Sequence, residues 1–218
     1  MFLKRGKLIC FIGIDGSGKS TVSKMFCESL RERNVKCKHV YGRLLPKLTR
    51  PIFMIAQIIF LKKSKSNYKS YSKTKYNAIQ KHKLLAKIYS YLLLFEYFWL
   101  ILFKIRLPLF LGYTVVCDRY VYDTVINDLP IVISDENEIL SWINKIFKFA
   151  PRPDRTFLID VPEEVAMKRK KDIPDIEYVR EKRGAYNNLS KFYKEIKLIN
   201  GTLGKEEVFR TILLEVSL

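Results

Sequence analysis

The chain has 218 residues, of which 48% are hydrophobic, so it can bury the core of a folded domain, which excludes a disordered polypeptide. Its formal net charge of +18 indicates an anionic partner, such as a phosphorylated small molecule, nucleic acid or an acidic membrane surface. Its four cysteines form no C-x-x-C pair, which argues against a zinc site or a disulfide framework. A reducing, cytoplasmic setting is expected from these cysteines, and the start, MFLKRGKLICFIG, lacks the long apolar region that predicts a signal peptide.

The first motif in the chain is FIGIDGSGKST, between a predicted strand and a predicted helix. The apolar run Lys7–Ile12 predicts a short buried strand, and Ser20–Arg33 has its apolar residues at helical spacing. A loop of this kind is rich in glycine because phosphate oxygens must approach backbone N–H groups closely. The phosphate-loop pattern G-x-x-x-x-G-K-[ST] is satisfied by Gly13, Gly18, Lys19 and Ser20.

This loop predicts a site for ATP with Mg²⁺. Lys19 is expected to reach the β- and γ-phosphates, and Ser20 to place its hydroxyl on the metal ion. The helix that follows adds its N-terminal N–H groups and its dipole. The candidate nucleotide-binding residues are Gly13, Gly16, Ser17, Gly18, Lys19, Ser20 and Thr21.

The middle of the chain is strongly basic. Residues 33–95 contain 15 Lys or Arg and neither Asp nor Glu. A second strand is predicted at Val35–Tyr41 and an apolar helix at Leu44–Leu61, whereas residues 62–75 have no hydrophobic period and predict a lysine-rich mobile loop. Ala78–Leu107 predicts one long helix or two; charges interrupt every window of membrane-spanning length, so packing against a sheet is favoured.

A third predicted strand, Gly112–Tyr120, is apolar until it stops at Asp118. Ligands of an open α/β sheet gather at the carboxyl ends of its strands, so Asp118 and Arg119 are expected beside the phosphate loop. Asp118 then has the position of a Walker-B-type carboxylate near Mg²⁺. The remaining predicted elements are a helix at Glu136–Phe149, a strand at Asp154–Val161, a helix opened by Pro162, a helix from Ile176, a strand at Lys197–Ile199 and a helix at Lys205–Val216.

Alternation of strands and helices predicts an α/β fold of the P-loop NTPase type. The expected architecture is a parallel five-stranded sheet with helices on both faces and a short lid at residues 168–176. No repeat or linker divides the chain, so residues 1–218 are expected to form a single domain.

Three segments together resemble the thymidylate kinase family of P-loop nucleoside monophosphate kinases: GIDGSGKST, DRY after the third strand, and PDRTFLIDVPEEVAMKRK. EYVREKRGAY and LINGTLGKEEV resemble the segment after the family's lid and its last strand and helix. The resemblance is specific at these places and weak across residues 44–107. It implies ATP-dependent phosphorylation of dTMP with Mg²⁺, and a homodimer.

The resemblance also implies roles for individual residues. Arg119 would hold the acceptor phosphate, with Tyr120 beside it, and Asp15 would lie near the acceptor sugar. The KRKK run that starts the lid would supply a cation to the transferred phosphoryl group, with Arg169 favoured, although a solvated helix end is the plainer interpretation of that run. The catalytic candidates are therefore Lys19, Arg119 and Arg169.

The acceptor half of the family pattern is altered in this chain. YGRLLPK stands where family members carry Glu-Pro-Gly-Gly, and Arg43 is expected to replace part of that segment in substrate binding. Phe98 occupies the place of a helix arginine. Asp123 and Asp128 stand where the family commonly has serine and, later, glutamine near the base.

Two alternatives remain open from the sequence. One is a P-loop kinase for another acceptor, a small alcohol or a lipid-linked phosphate, which the basic segment would hold at an anionic membrane surface. The less favoured one is an ATP-regulated nucleic-acid-binding module that uses Tyr68, Tyr71 and Tyr76 among lysines. No recognised nucleic-acid motif accompanies those tyrosines, so nucleic acid is the less expected partner.

Overall fold

Five parallel strands form the centre of the structure, a computed structural model that describes residues 5–44, 46, 49, 51, 77, 81–129, 131 and 135–216. The strand order is β2-β3-β1-β4-β5, and every neighbouring pair is parallel. The strands are β1 Leu8–Ile12, β2 Cys37–Tyr41, β3 Thr114–Asp118, β4 Arg155–Asp160 and β5 Ile196–Asn200. The predicted α/β fold with a parallel five-stranded sheet is therefore confirmed.

Helices follow the strands along the chain. They are α1 Lys19–Glu32, α2 Lys83–Ile101, α3 Leu107–Phe110, α4 Val121–Asp128, α5 Glu136–Ile146, α6 Glu163–Arg169, α7 Ile176–Phe192 and α8 Lys205–Glu215. A π-helical turn, Leu102–Arg106, joins α2 to α3. It ends two residues before Pro108, whose missing N–H and bulky ring disturb the regular helical hydrogen-bond ladder.

The sheet is covered on both faces because successive side chains of its central strands point to opposite sides. Ile9 and Phe11 of β1 pack in a core with α1 and α8. Leu8, Cys10 and Ile12 pack in the other core, with α2, α4, α5 and α7. All five residues of β1 are buried, as expected for the middle strand of such a sheet.

Helix α2 packs against the sheet, as its sequence predicts. Leu93, Tyr97 and Ile101 lie in the core, and the Tyr97 hydroxyl donates to the carbonyl of Gly42 at 2.8 Å. Among the described residues, none of the helices has the length and apolar character needed to cross a bilayer. The predicted loop at 62–75 and nearly all of the predicted helix at Leu44–Leu61 lie outside the described residues.

The carboxyl ends of β1, β3 and β4 lie at one edge of the sheet because the three strands are parallel neighbours. The phosphate loop follows β1, Asp118 closes β3, and Asp160 closes β4. Helix α4, which the sequence did not predict, starts directly after Arg119 and Tyr120. This edge therefore gathers the residues that the sequence singles out.

Candidate active site at the carboxyl edge of the sheet

The phosphate loop has a backbone that only glycine allows at two positions. Gly13 has φ +140°, and a Cβ there would lie 2.6 Å from the carbonyl oxygen of Ile159. Gly16 has φ +82°, and its Cβ would lie 2.5 Å from the carbonyl oxygen of Ala166 in α6. The loop is thus wedged against β4 and α6, with bare backbone facing the space in front of α1.

Lys19 is buried at the start of α1, with only 3% of its surface exposed. Its Nζ donates to the carbonyl of Ile14 at 2.7 Å, so the ammonium lies inside the loop. Burial, together with the nearby charge of Arg119, lowers the pKa of Lys19 to about 8. Ser20 and Thr21, the next residues of α1, are exposed at the mouth of the loop.

Asp118 and Ser17 each present a buried oxygen to this edge. Asp118 Oδ1 and Ser17 Oγ have no hydrogen-bond partner among the described residues. A buried carboxylate oxygen without a donor is costly unless a cation or water satisfies it. Asp118, together with the exposed hydroxyl of Ser20, therefore fits a Mg²⁺ ion that keeps several waters and phosphate oxygens as its other ligands.

Arg119 has φ +68°, an uncommon conformation for a residue other than glycine. Its backbone N–H donates to the carbonyl of Phe11 at 2.8 Å, which extends the β1–β3 pairing by one residue. Its guanidinium donates to Asp15 and to Asp123, the second contact at 3.1 Å. The backbone thus places Arg119 directly beside the phosphate loop, as predicted.

The carboxylate of Asp15 lies within 4 Å of three cationic side chains. Its carboxylate accepts from Arg119, lies 3.8 Å from Lys19 Nζ, and pairs with Lys170 Nζ at 3.5 Å. Partial burial raises the pKa of Asp15, but Arg119, Lys19 and Lys170 outweigh that effect and lower it to about 2. Asp15 is therefore ionised at any physiological pH.

A buried network behind Arg119 was not foreseen from the sequence as a set of contacts. Asp123, fully buried, accepts from the Tyr186 hydroxyl at 2.7 Å and from the Tyr120 backbone N–H at 3.1 Å. Asn127 in turn donates to the Tyr186 hydroxyl at 3.1 Å. Burial raises the pKa of Asp123, and the charges of Arg119 and Lys19 oppose that shift.

Arg43 is held by Asp128, at the end of α4. Arg43 Nε lies 2.9 Å and its Nη2 2.6 Å from the two carboxylate oxygens, which makes a bidentate pair. The side chain of Asp128 is 9% exposed and that of Arg43 23% exposed. Burial raises the pKa of Asp128, and the Arg43 guanidinium counteracts it. Two of the altered acceptor positions therefore contact each other.

The predicted lid segment, residues 168–176, runs from the end of α6 through a short connection to the start of α7. Arg169 Nη1 donates to the carbonyl of Gly201 at 2.9 Å and lies 4.0 Å from the position of a Cβ on Gly18. Lys170 contacts Asp15 instead. Two cations of the KRKK run therefore lie at the phosphate loop, Arg169 beside Gly18 and Lys170 beside Asp15.

Tyr120 does not join the site. Its side chain is fully buried in the core, and its hydroxyl donates to the carbonyl of Pro151 at 2.9 Å. The prediction that Tyr120 binds substrate is not supported by this placement, because a side chain without exposed surface cannot contact a ligand.

A small cavity of about 10 Å³ lies between the phosphate loop, α4 and α7. Its lining includes Gly13, Asp15, Arg119, Asn127, Tyr178 and Tyr186. Tyr178 was not singled out from the sequence. A larger cleft between α5 and α7 lies away from the loop, and the ion pair in its lining, Arg180 with Glu177 at 2.7 Å, is partly exposed. The chemistry is therefore concentrated at the smaller cavity.

Comparison with known proteins identifies a family for the chain. A family model described as thymidylate kinase matches residues 55–212, more than half of the chain, including the part where the sequence resemblance is weak. A probable thymidylate kinase of Pyrococcus abyssi is 27% identical over 96% of this chain and 95% of its own length. Thymidylate kinases of Plasmodium falciparum and Rickettsia conorii are 29% and 24% identical over 98% and 92% of this chain, and over 91% of their own lengths.

Proposed function

Because the chain belongs to the thymidylate kinase family, we propose that its carboxyl-edge site phosphorylates dTMP to dTDP, with individual residues in the roles given below. Family membership makes the chain a nucleotide kinase that uses ATP and Mg²⁺. The observation that carries the assignment of residues is the contact of Arg119 with Asp15, which joins the end of β3 to the phosphate loop. Groups for the phosphate donor and for the acceptor thus meet at one place.

On the donor side, the loop from Gly13 to Thr21 binds the ATP phosphates. Lys19 neutralises charge on the β- and γ-phosphates, and its burial strengthens that interaction because little water screens it. Ser20 and Asp118 would hold Mg²⁺, which would supply positive charge to the phosphates. Arg169, beside Gly18, stabilises the transferred phosphoryl group.

On the acceptor side, Arg119 binds the phosphate of dTMP. Its planar fork of donors suits a phosphate dianion better than a single ammonium does. Asp15 binds the acceptor sugar after Arg119, its partner in the absence of substrate, binds the acceptor phosphate. Arg43, fixed by Asp128, contributes to the far end of the acceptor site.

The proposal is tested by ATP consumption with Mg²⁺ across dTMP, dUMP, other nucleoside monophosphates and a control without acceptor. We expect turnover that depends on dTMP, with the highest kcat/KM for that acceptor. ATP consumption that is equal with and without every nucleotide would contradict the proposal. The relatives reported above give no support to a small-alcohol or lipid acceptor.

We further propose that the chain forms a homodimer through the exposed apolar side of α2 and of the π-helical turn. Phe95, Trp99 and Phe103 are 62%, 45% and 58% exposed, and the last two rings stack with centroids 5.8 Å apart. A contiguous aromatic surface of this kind is typical of protein interfaces.

In sedimentation velocity, the wild type is expected to sediment as a dimer and Trp99→Lys as a monomer. Leu214→Lys, on α8 and 82% exposed, is the matched control and is expected to leave the dimer intact. A wild type that stays monomeric up to about 100 μM, far above the Kd of a typical stable interface, would contradict the homodimer.

Contact with an anionic membrane remains a prediction from the sequence, because the residues concerned, 52–75, lie outside the described part of the chain. A cytoplasmic location is likewise proposed. Its support is that all four cysteines are free and buried, as is common in a reducing compartment.

A further inference from the structure

Two carboxylates share the guanidinium of Arg119. Asp15 approaches Nη2 from the phosphate loop, and Asp123 approaches Nη1 from the first turn of α4. A phosphate that binds Arg119 accepts hydrogen bonds from N–H groups of the same guanidinium. These contacts use one N–H on each Nη, so a phosphate dianion that approaches along the Nη1–Nη2 side competes with the two carboxylates, and their surroundings decide which of them yields.

Asp123 is the fixed partner. Its side chain has no exposed surface, and the Tyr186 hydroxyl and the Tyr120 backbone N–H hold it in addition to Arg119. Moving it would leave these two donors without their acceptor inside the core, which is costly. Arg119 and Tyr120 directly precede α4 and Tyr186 lies in α7, so the carboxylate links the start of its own helix to a second helix.

Asp15 is the partner that can yield. Its side chain is 28% exposed. Lys19 Nζ and Lys170 Nζ lie 3.8 Å and 3.5 Å from its carboxylate, so they still compensate its negative charge when Arg119 leaves. Water and these two lysines can replace Arg119 at little cost, because a partly exposed ion pair contributes little to stability. The contact between Arg119 and Asp15 is thus the exchangeable one.

We propose that Asp123 is a positioning residue of the acceptor site: its buried carboxylate fixes one side of the Arg119 guanidinium, so that the side facing Asp15 is presented to the acceptor phosphate. This inference rests on the proposed function. It gives a role to a residue that departs from the family pattern, which commonly has serine here. A serine hydroxyl is shorter and uncharged, so it cannot hold an arginine in the same way.

The arrangement also explains how Arg119 tolerates its uncommon backbone conformation. Positive φ costs free energy and persists where surrounding contacts fix it. Here the backbone N–H is bound by β1 and the side chain by α4, so both ends of the residue are held. The orientation of the Arg119 side chain is therefore fixed by Asp123 rather than by the ligand.

The test is a double-mutant cycle with wild type, Asp123→Asn, Arg119→Ala and the double variant, read as kcat/KM for dTMP and as KM for ATP. Asp123→Asn is expected to lower kcat/KM for dTMP by about tenfold or more, with the KM for ATP within about twofold of wild type. In the Arg119→Ala background, the same change is expected to cost less than about threefold, because Asp123 acts through Arg119.

Asp154→Asn is the matched control. Asp154 accepts from the backbone N–H of Leu8 at 2.7 Å at the opposite edge of the sheet, so the same chemical change there is expected to leave all kinetic constants unchanged. Arg119→Ala leaves Asp123 without its cation; if circular dichroism shows it unfolded, Arg119→Gln replaces it in the cycle, since its amide can donate to Asp123.

Three results would overturn the inference. The first is an Asp123→Asn variant with wild-type kcat/KM for dTMP, and the second is an equal cost of this change in both Arg119 backgrounds, which indicates a structural role only. The third is a wild type that makes no dTDP; that result overturns the proposed function as well, whereas the first two overturn the positioning role alone.

Discussion

Lys19→Met is expected to lower kcat with ATP and dTMP by about a thousandfold, which corresponds to roughly 4 kcal/mol of transition-state stabilisation. The physical reason is the placement of the ammonium, which is buried inside the phosphate loop, where little water screens its charge from the bound phosphates. Methionine keeps an unbranched apolar side chain, and it removes the charge together with the hydrogen bond to the carbonyl of Ile14. Steady-state kinetics with purified protein measures the effect.

The same variant is expected to be at least as stable as the wild type. Burial lowers the pKa of Lys19 from 10.5 to about 8, so the folded state disfavours the charged form by roughly 3 kcal/mol. At pH below 8 both states of the wild type carry this proton, and the full cost is present. Between pH 8 and pH 10.5 the unfolded state binds the proton more tightly, so this contribution makes wild-type stability rise with pH.

Lys24→Met supplies the control for both effects. Lys24 lies on the same helix, α1, and is exposed, so the same chemical change there is expected to leave kcat and the melting temperature unaltered. A Lys19→Met protein that keeps more than about a tenth of wild-type kcat would remove Lys19 from the catalytic role. A melting temperature well below that of wild type would show that the ammonium is structural.

Arg119→Lys is expected to lower kcat/KM for dTMP by about a hundredfold while KM for ATP stays within about twofold of wild type. Lysine keeps the positive charge that Asp15 and Asp123 require, but it cannot offer two donors in a plane to carboxylate and phosphate together. The loss should therefore be confined to the acceptor. Separate titrations of ATP and dTMP distinguish the two substrates.

Arg106→Lys is the control for this second variant. Arg106 donates to the carbonyl of Phe149 at 2.8 Å from the π-helical turn and takes no part in the carboxyl-edge site. Equal loss of activity in both variants would point to a general effect on the fold. Unchanged kcat/KM for dTMP in Arg119→Lys would contradict the assignment of Arg119 to the acceptor phosphate.

The sequence was a good guide where one short segment contains all the information. The phosphate loop is recognisable because its glycines, lysine and serine are adjacent, and the strand before it is uniformly apolar. Asp118 and Arg119 were placed correctly because parallel strands bring their carboxyl ends to one edge. These predictions depend on local pattern and on a general rule of topology.

Helix α4 escaped sequence reasoning for a physical reason. Its sequence, VYDTVIND, is rich in β-branched residues, which favour strands, and no serine or threonine precedes it as an N-cap. The helix begins because the Asp123 side chain accepts from the Tyr120 backbone N–H and because its apolar side is buried in the core. Tertiary packing outweighed intrinsic propensity here.

The acceptor site could not be derived because its contacts join distant parts of the chain. Asp123 meets Tyr186, Arg43 meets Asp128, and Lys170 meets Asp15, each pair separated by many tens of residues. Nothing local in the sequence specifies these pairs. Tyr120 shows that proximity in sequence does not fix side-chain direction, since its side chain is buried in the core next to Arg119.

Transfer of label from γ-³²P-ATP, with dTMP and Mg²⁺, tests the central claim most directly. If the carboxyl-edge site joins donor and acceptor as described, label appears in the β-phosphate of dTDP in step with ADP formation, and Lys19→Met protein forms none above background. Label that appears only in inorganic phosphate, at the same rate with and without dTMP, would contradict the account.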